Sequence, residues 1–292
     1  MLEPERLDVP AAGGPLRVWR WPGDSPLVLA AHGITSNGLA WASVAEALAG
    51  EITLVAPDLR GRGDSRDLPG PYGMARHADD LMTVLDHLGA ERAAVAGHSM
   101  GGFVAAVAAV RHPDRVAAAV LVDGGVAFDI PAGDPQAALE ATLGPAMERL
   151  RMTFPDAAAY RAFWRQHPAL AGAWSPAVEA HIDHDTVPAG GGTVRSACAI
   201  DAVREDGAAI LTDDEATTAA RRLPCPATLL WAPRGMLGEP PGLYTGGRLS
   251  AAGLDPERVV VEQVPGVNHY TVLLGGSGAA AVAGAIRAGA SR

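Results

Sequence analysis

Residues 97–101 of the chain read Gly-His-Ser-Met-Gly and fit the pattern G-x-S-x-G. This pattern forms a sharp turn between a strand and a helix, with the serine hydroxyl exposed at the top of a parallel sheet. Glycine is favoured at both ends because a Cβ atom there would collide with the backbone. Residues 93–96 are an apolar run of strand length, and residues 102–111 are small and apolar, like a helix packed closely on a sheet. The sequence therefore predicts an exposed, nucleophilic Ser99, and a surface turn with an ordinary serine is the less favoured alternative.

A second motif, His32-Gly33, follows the apolar run of residues 26–31. Acyl transfer through a serine builds negative charge on the carbonyl oxygen, and two aimed N–H groups must stabilise that charge. One donor is expected from Met100, directly after the serine. The other is expected from Ile34, in the loop where a His-Gly pair lets the backbone turn inward. The two motifs together predict an oxyanion hole, whereas the His-Gly pair alone would be weak evidence for one.

A histidine near the C-terminus is the candidate general base. Residues 259–264 have strand character, and the loop that follows them contains His269. A histidine after the last strand can reach the serine and accept its proton. The other histidines are assigned elsewhere: His32 and His98 to the motif backbones, His77, His87 and His112 to helix surfaces or ends, and His181 and His184 to a different region.

Apolar runs of strand length alternate with helical patterns through the first half of the chain. This alternation predicts an α/β fold with a mainly parallel sheet and helices on both faces. Strands are predicted at residues 16–21, 26–31, 52–56, 93–96 and 117–122, and helices at residues 40–48 and 75–88.

The alternation stops between residues 127 and 222, where helical patterns dominate without a buried strand run. We interpret this segment as an inserted helical cap over a core made of residues 1–126 and 223–292. Caps of this kind shape the pocket above an active site, so Trp164 and Trp174 are the candidate substrate-binding residues. A stripe of large apolar residues in a cap is, however, more often the cap's own core.

Two stretches of the predicted cap are tempting but weak motifs. Residues 181–185, His-Ile-Asp-His-Asp, place His181 and Asp185 on one helical face, but no third or fourth metal ligand is evident. Residues 188–193 are rich in glycine but lack the lysine and the preceding strand of a phosphate-binding loop. We interpret the first as a solvated or anchoring segment and the second as a flexible loop. No metal is expected.

Four motifs along the chain together resemble the α/β-hydrolase-fold enzymes: AHGITSN, APDLRGRGDS, GHSMGG and VNHY. The resemblance covers nearly all of the chain outside the predicted cap. It is specific to the superfamily and does not specify a substrate. It implies that Asp58 and residues 60–64 form a structural loop beside the site, and that an acidic residue completes a triad with the serine and the histidine.

The position of that acid departs from the usual pattern of the family. Most members carry it after the strand that follows the cap, here residues 227–231, but Gly235 stands where Asp is common. Asp123, after the strand at residues 117–122, is one replacement, and some fungal lactonases that resemble this fold take their acid from that strand end. Glu239 in the later loop is the other. Both keep the chain order Ser, acid, His. Asp123 is favoured, although an Asp-Gly pair is also a good turn former.

The charge and the cysteine content of the chain indicate which binding partners and which compartment to expect. The formal net charge of -10 argues against binding to nucleic acid and to anionic membrane surfaces. The two cysteines, Cys198 and Cys225, lack metal-ligand spacing and are expected to be buried thiols in a reducing compartment. The N-terminus lacks the pattern of a signal peptide, so a cytoplasmic location is expected. A homodimer is left open.

These features predict a serine hydrolase that cleaves a carboxylic ester or a lactone through an acyl-enzyme, without a cofactor. Ser99 attacks the carbonyl, His269 takes the proton, and Asp123 orients the imidazole. The aromatic cap and the few charges favour a medium-sized, largely apolar small-molecule substrate. Three alternatives stay open: cleavage of a C–C bond in a diketone, a haloperoxidase-like activity without a cofactor, and a small-molecule receptor on the same fold.

Overall fold

The computed structural model describes residues 2–128 and 144–291. Its centre is an eight-stranded sheet in the order β1-β2-β4-β3-β5-β6-β9-β10. Six neighbouring strands of this sheet run parallel to one another: β4, β3, β5, β6, β9 and β10. The strands β1 and β2 add antiparallel pairs at one edge. A separate hairpin is formed by β7 and β8. The strands are β1 (Glu5–Ala11), β2 (Gly14–Trp21), β3 (Leu27–Ala31), β4 (Thr53–Pro57), β5 (Ala93–His98), β6 (Val116–Val122), β7 (Thr186–Gly190), β8 (Thr193–Ser196), β9 (Ala227–Trp231) and β10 (Val259–Gln263).

Helices cover both faces of the sheet, which confirms the predicted fold class. Along β5, Ala93 and Val95 face one apolar cluster, which includes residues of α2 and α3. Ala94 and Ala96 face the other, which includes residues of α1 and α11. The helices are α1 (Ala42–Leu48), α2 (Met74–His87), α3 (Met100–Arg111), α4 (residues 144–151), α5 (Ala157–Arg165), α6 (Pro176–His184), α7 (Ile200–Thr212), α8 (Asp214–Thr218), α9 (Gly246–Ala251), α10 (Thr271–Leu274) and α11 (Gly276–Ala290).

The segment predicted as a helical cap is not purely helical. Five helices, α4 to α8, lie in its described part, together with the hairpin β7–β8, whose residues are mostly half-buried or exposed. Gly190 ends β7, and Gly191 and Gly192 form the turn of this hairpin; all three glycines have positive φ. The glycine-rich stretch is therefore partly strand and partly a tight turn, rather than a loop throughout. Its low burial explains why no apolar run marks these strands in the sequence.

The first strand, β1, was not predicted from the sequence. It lies at the edge of the sheet and pairs only with β2, and Val9 is its one buried residue. A signal was available, because Leu7, Val9 and Ala11 alternate with polar or proline residues and pack on one apolar cluster. Within the described residues, no helix has the length and apolar character needed to cross a membrane.

Candidate active site

Ser99 occupies the sharp turn between β5 and α3. Its φ of 55° and ψ of -119° are a strained conformation for a residue with a side chain. The flanking glycines allow this turn: a Cβ atom on Gly97 would lie 1.8 Å from the carbonyl oxygen of Gly101. A Cβ atom on Gly101 would lie 2.1 Å from the carbonyl oxygen of Ala31 on β3. The turn predicted from G-x-S-x-G thus has the backbone geometry that lifts the serine away from the sheet.

Asp123 and His269 form a buried pair next to this turn. The Nδ1–H group of His269 donates to Oδ2 of Asp123 at 2.7 Å. The other carboxylate oxygen of Asp123 accepts from the Ala232 N–H at 3.0 Å. Since an ionised carboxylate only accepts hydrogen bonds, the proton of neutral His269 lies on Nδ1, and Nε2 is left as the basic nitrogen. Ser99 and His269 line the same pocket.

Glu239, the alternative acid, lies apart from this pair. Its side chain is exposed at the surface. Its carbonyl accepts from the Gly235 N–H at 2.9 Å, which closes a tight turn in the loop after β9. Of the two candidate acids, the structure brings Asp123 into contact with His269.

His98 supports the loop that carries His269. Its Nε2–H donates to the backbone carbonyl of His269 at 2.8 Å, and the two rings are 4.8 Å apart. Burial, and after it the neighbouring His269, holds the pKa of His98 well below its ordinary value of 6.5. His98 therefore stays neutral and adds no positive charge beside the imidazole of His269. The sequence assigned His98 only to the motif backbone and missed this contact.

The ring of His32 holds the loop after β3 and fixes the Ile34 N–H. The ring of His32 accepts from the Leu59 N–H at 2.9 Å through Nε2, so its proton is on Nδ1, which donates to the Gly33 carbonyl at 2.8 Å. Burial lowers the pKa of His32 to about 3, which keeps this neutral arrangement. Because C=O and N–H point in opposite directions across a trans peptide, fixing the Gly33 carbonyl also fixes the Ile34 N–H.

The N–H of Met100 is the second predicted donor. Met100 is the first residue of α3, where a backbone N–H has no acceptor within its own helix. Both Ile34 and Met100 line the pocket that contains Ser99. The structure thus brings together the five residues predicted for catalysis and the oxyanion hole.

The pocket over Ser99 has an empty volume of about 850 Å³, including its open mouth. Most of its wall is apolar, and residues of the predicted cap contribute to it. The apolar lining residues beyond those already described include Ala40, Phe128, Trp164, Ile182, Ile210, Met236, Leu243, Leu273 and Leu274.

The two predicted pocket tryptophans are separated. Trp164 lines the pocket and packs against Tyr270 with ring centroids 6.0 Å apart. Trp174 is not among the described residues around this pocket. Its Nε1–H donates to Glu179 at 2.9 Å, and the guanidinium of Arg165 lies over its ring at 4.8 Å. Trp174 therefore belongs to a polar cluster of the predicted cap, and only Trp164 remains as a pocket residue.

His181 and Asp185 are held by hydrogen bonds within the protein. The Nδ1–H of His181 donates to Asn37 at 3.0 Å, and burial lowers the pKa of His181 to about 4. The carboxylate of Asp185 accepts from Arg149 and Ser196, among others. In residues 2–128 and 144–291, no group of three His, Cys, Asp or Glu side chains is arranged to hold a metal ion.

The assignment of His77 to a helix surface or end is wrong. His77 is fully buried in α2, and its Nε2–H donates to Asp206 of α7 at 2.9 Å. A signal was available in the sequence, because His77 is three residues after Met74 and four before Leu81, on the apolar face of the helix.

The chain belongs to the α/β-hydrolase fold family, whose sequence profile matches residues 26–171. It is 41% identical over 115 residues to a lipase of Mycobacterium tuberculosis, a match that covers 39% of this chain and 43% of that protein. It is 41% identical over 99 residues to a putative carbamate hydrolase of Caulobacter vibrioides, over 34% of this chain and 37% of that protein. The chain thus matches less than half of the length of these relatives.

Solved structures share the fold over nearly the whole chain. The structure of E-2-(acetamidomethylene)succinate hydrolase superposes with a TM-score of 0.76 and 23% identity, covering 97% of this chain and 98% of that one. A thioesterase domain from the curacin biosynthetic pathway superposes with a TM-score of 0.75 and 22% identity, over 97% and 99% of the two chains. At these identities the likeness is one of fold.

Proposed function

We propose that the protein is a serine hydrolase that cleaves a carboxylic ester or a lactone through an acyl-enzyme. The observation that carries the proposal is the buried hydrogen bond of 2.7 Å between Asp123 and His269, where His269 lines the same pocket as Ser99. A serine on a strained turn, a histidine with its basic nitrogen free and a buried carboxylate behind it are the three parts that nucleophilic acyl transfer requires.

The reaction follows from the positions of these groups. His269 accepts the proton of Ser99 at Nε2 while the serine oxygen attacks the carbonyl carbon, and the imidazolium is stabilised by Asp123. The N–H groups of Ile34 and Met100 donate to the oxyanion of the tetrahedral intermediate. His269 then protonates the leaving alcohol. In the second half, His269 activates water, which attacks the acyl-enzyme and releases the acid.

The pocket supports a medium-sized, largely apolar acyl or alcohol group. Its wall is mainly aliphatic and aromatic, and few polar atoms face the space over Ser99, as in sites that bind apolar groups. Three similar proteins are named for different acyl bonds: a lipase, a putative carbamate hydrolase and a thioesterase domain. The test therefore includes substrates with different leaving groups.

The experiment compares the wild-type protein with Ser99→Ala on p-nitrophenyl esters of increasing chain length, aromatic lactones, a thioester and a carbamate. The wild type should give a burst of p-nitrophenol, and a fluorophosphonate should add one mass tag, at Ser99. Ser99→Ala should lose turnover by roughly four or more orders of magnitude. Labelling at another residue, or turnover that survives in the alanine variant, would contradict the mechanism. A protein that binds these molecules without turning any over would be a receptor.

A further inference from the structure

Arg62 connects the two residues expected to donate to the oxyanion. It is fully buried in the loop between β4 and α2. Its Nε–H donates to the backbone carbonyl of Ile34 at 3.0 Å. Its Nη2 lies 3.9 Å from the sulfur of Met100. One guanidinium therefore contacts the loop on one side of the proposed oxyanion hole and the first residue of α3 on the other.

The contact with Ile34 complements that of His32. His32 fixes the carbonyl of Gly33, and Arg62 fixes the carbonyl of Ile34, so both peptide planes that flank Ile34 are held by side chains. The Ile34 N–H lies in the first of these planes, and the second plane anchors the same residue from its other side, so that both bonds together restrict the position and direction of the N–H. An oxyanion donor acts only if it is aimed at the position where charge develops, so small displacements cost rate.

Asp206 holds Arg62 in place from the predicted cap. It lies on α7, and its Oδ2 accepts from Nη1 of Arg62 and from His77. Its Oδ1 accepts from the Gly73 N–H at 2.6 Å. Burial alone would raise the pKa of Asp206, but His77 and Arg62 hold it below its ordinary value. The carboxylate thus stays ionised in a site where both side chains of the ion pair are 0% exposed.

We propose that Arg62 is a positioning residue for the oxyanion hole and that Asp206 makes this positioning depend on the docking of helix α7. The inference rests on the proposed serine hydrolase function and deepens it. The carboxylate of Asp206 on α7 orients the guanidinium of Arg62, which binds the carbonyl of Ile34. Docking of α7 and assembly of the oxyanion hole are therefore coupled.

The neighbouring pair Arg60 and Asp80 is a matched control. It is also an arginine of the same loop bound to a buried aspartate, with side chains 1% exposed and an N–O distance of 2.9 Å. The other hydrogen bonds of the Arg60 side chain are donated to the backbone carbonyls of Ala12 and Pro69. The side chain of Arg60 therefore stabilises the fold through partners that include neither Ile34 nor Met100.

The test compares Arg62→Lys with Arg60→Lys, and Asp206→Asn with Asp80→Asn, on a small activated ester. We expect Arg62→Lys and Asp206→Asn to lower kcat roughly 10- to 100-fold while KM changes little, because donors to the transition state are misaimed. Their affinity for a trifluoromethyl ketone, which forms a tetrahedral adduct with the serine, should fall by a similar factor. Arg60→Lys and Asp80→Asn should lower Tm without this loss of kcat.

Equal losses of kcat in the two pairs, or a change confined to KM or Tm in Arg62→Lys and Asp206→Asn, would overturn the inference. If Arg62→Lys does not fold, Asp206→Asn, which keeps the volume of the side chain, gives the same comparison. Failure of the proposed function is distinguishable, because it would appear in the wild type as absence of a fluorophosphonate tag at Ser99.

Discussion

At the scale of single residues, the site concentrates backbone strain. Ser99 and Asp123 are two of only four residues other than glycine with positive φ in the described part of the chain. Such conformations persist where the surroundings fix them, and they are common at functional sites. Here hydrogen bonds fix both: the Ser99 N–H donates to Val122 at 2.9 Å, and the Asp123 N–H donates to Leu230 at 2.7 Å.

Asp123→Asn tests the proposed role of the acid. The amide oxygen would accept from the Ala232 N–H, as the carboxylate does, and the NH₂ group would then face His269. His269 would have to accept at Nδ1 and carry its proton on Nε2, where it can no longer take one from Ser99. We expect kcat to fall by up to ~10⁴-fold, as such changes do in other triads.

The matched variant is Glu239→Gln, whose side chain is at the surface. It should keep the kcat of the wild type on the same ester. A large loss in Glu239→Gln together with a small one in Asp123→Asn would reverse the assignment and leave Asp123 as a turn residue.

At the scale of elements, helix α6 is tied to the loop after β4 by His184 and Asp58. The Nε2–H of His184 donates to Asp58 at 2.7 Å, and the ring packs edge-on against Trp19. Burial by itself would lower the pKa of His184, but Asp58 raises it above its ordinary value of 6.5. This contact predicts that the stabilisation of the protein by the docking of helix α6 depends on pH.

Because the folded pKa of His184 is raised, its stabilising contribution is fully present below pH 6.5 and is lost as pH rises through the folded pKa. The Tm of the wild type should therefore exceed that of His184→Asn most at acidic pH, and the difference should shrink toward alkaline pH. Tm measured across this range checks the prediction. His87→Asn, at an exposed site, should follow the wild type. A difference independent of pH would mean that His184 contributes only by packing.

Helix α5 supplies the pocket tryptophan. Trp164→Leu should raise KM for esters with large acyl groups by roughly 10-fold, because apolar contact area with the substrate is lost. The burst of Ser99 with a small activated ester should stay largely unchanged, since Trp164 is on another element. Trp174→Leu is the control, because that ring packs with Arg165 and Glu179. Uniform loss toward large and small esters in Trp164→Leu, with a lower Tm, would show that Trp164 is core.

At the scale of the whole molecule, the sequence predicted the features that depend on neighbours along the chain. The turn at Ser99, the strands with apolar runs and the order of Ser99, Asp123 and His269 are such features. The choice between Asp123 and Glu239 needed the structure, because a contact between residues that are distant along the chain leaves no pattern in the neighbouring sequence. The contact between Arg62 and Asp206 joins residues 144 positions apart, and it was invisible for the same reason.

The placement of Asp123 at the end of β6 has a consequence for how the protein can diversify. β6 is the immediate neighbour of β5, so the proposed nucleophile and the proposed acid come from adjacent strands. The segment after β9 is thereby released from supplying a carboxylate, and it instead lends Met236 and Leu243 to the pocket wall. Changes in the length or composition of that segment can therefore alter the shape of the pocket without displacing the proposed triad.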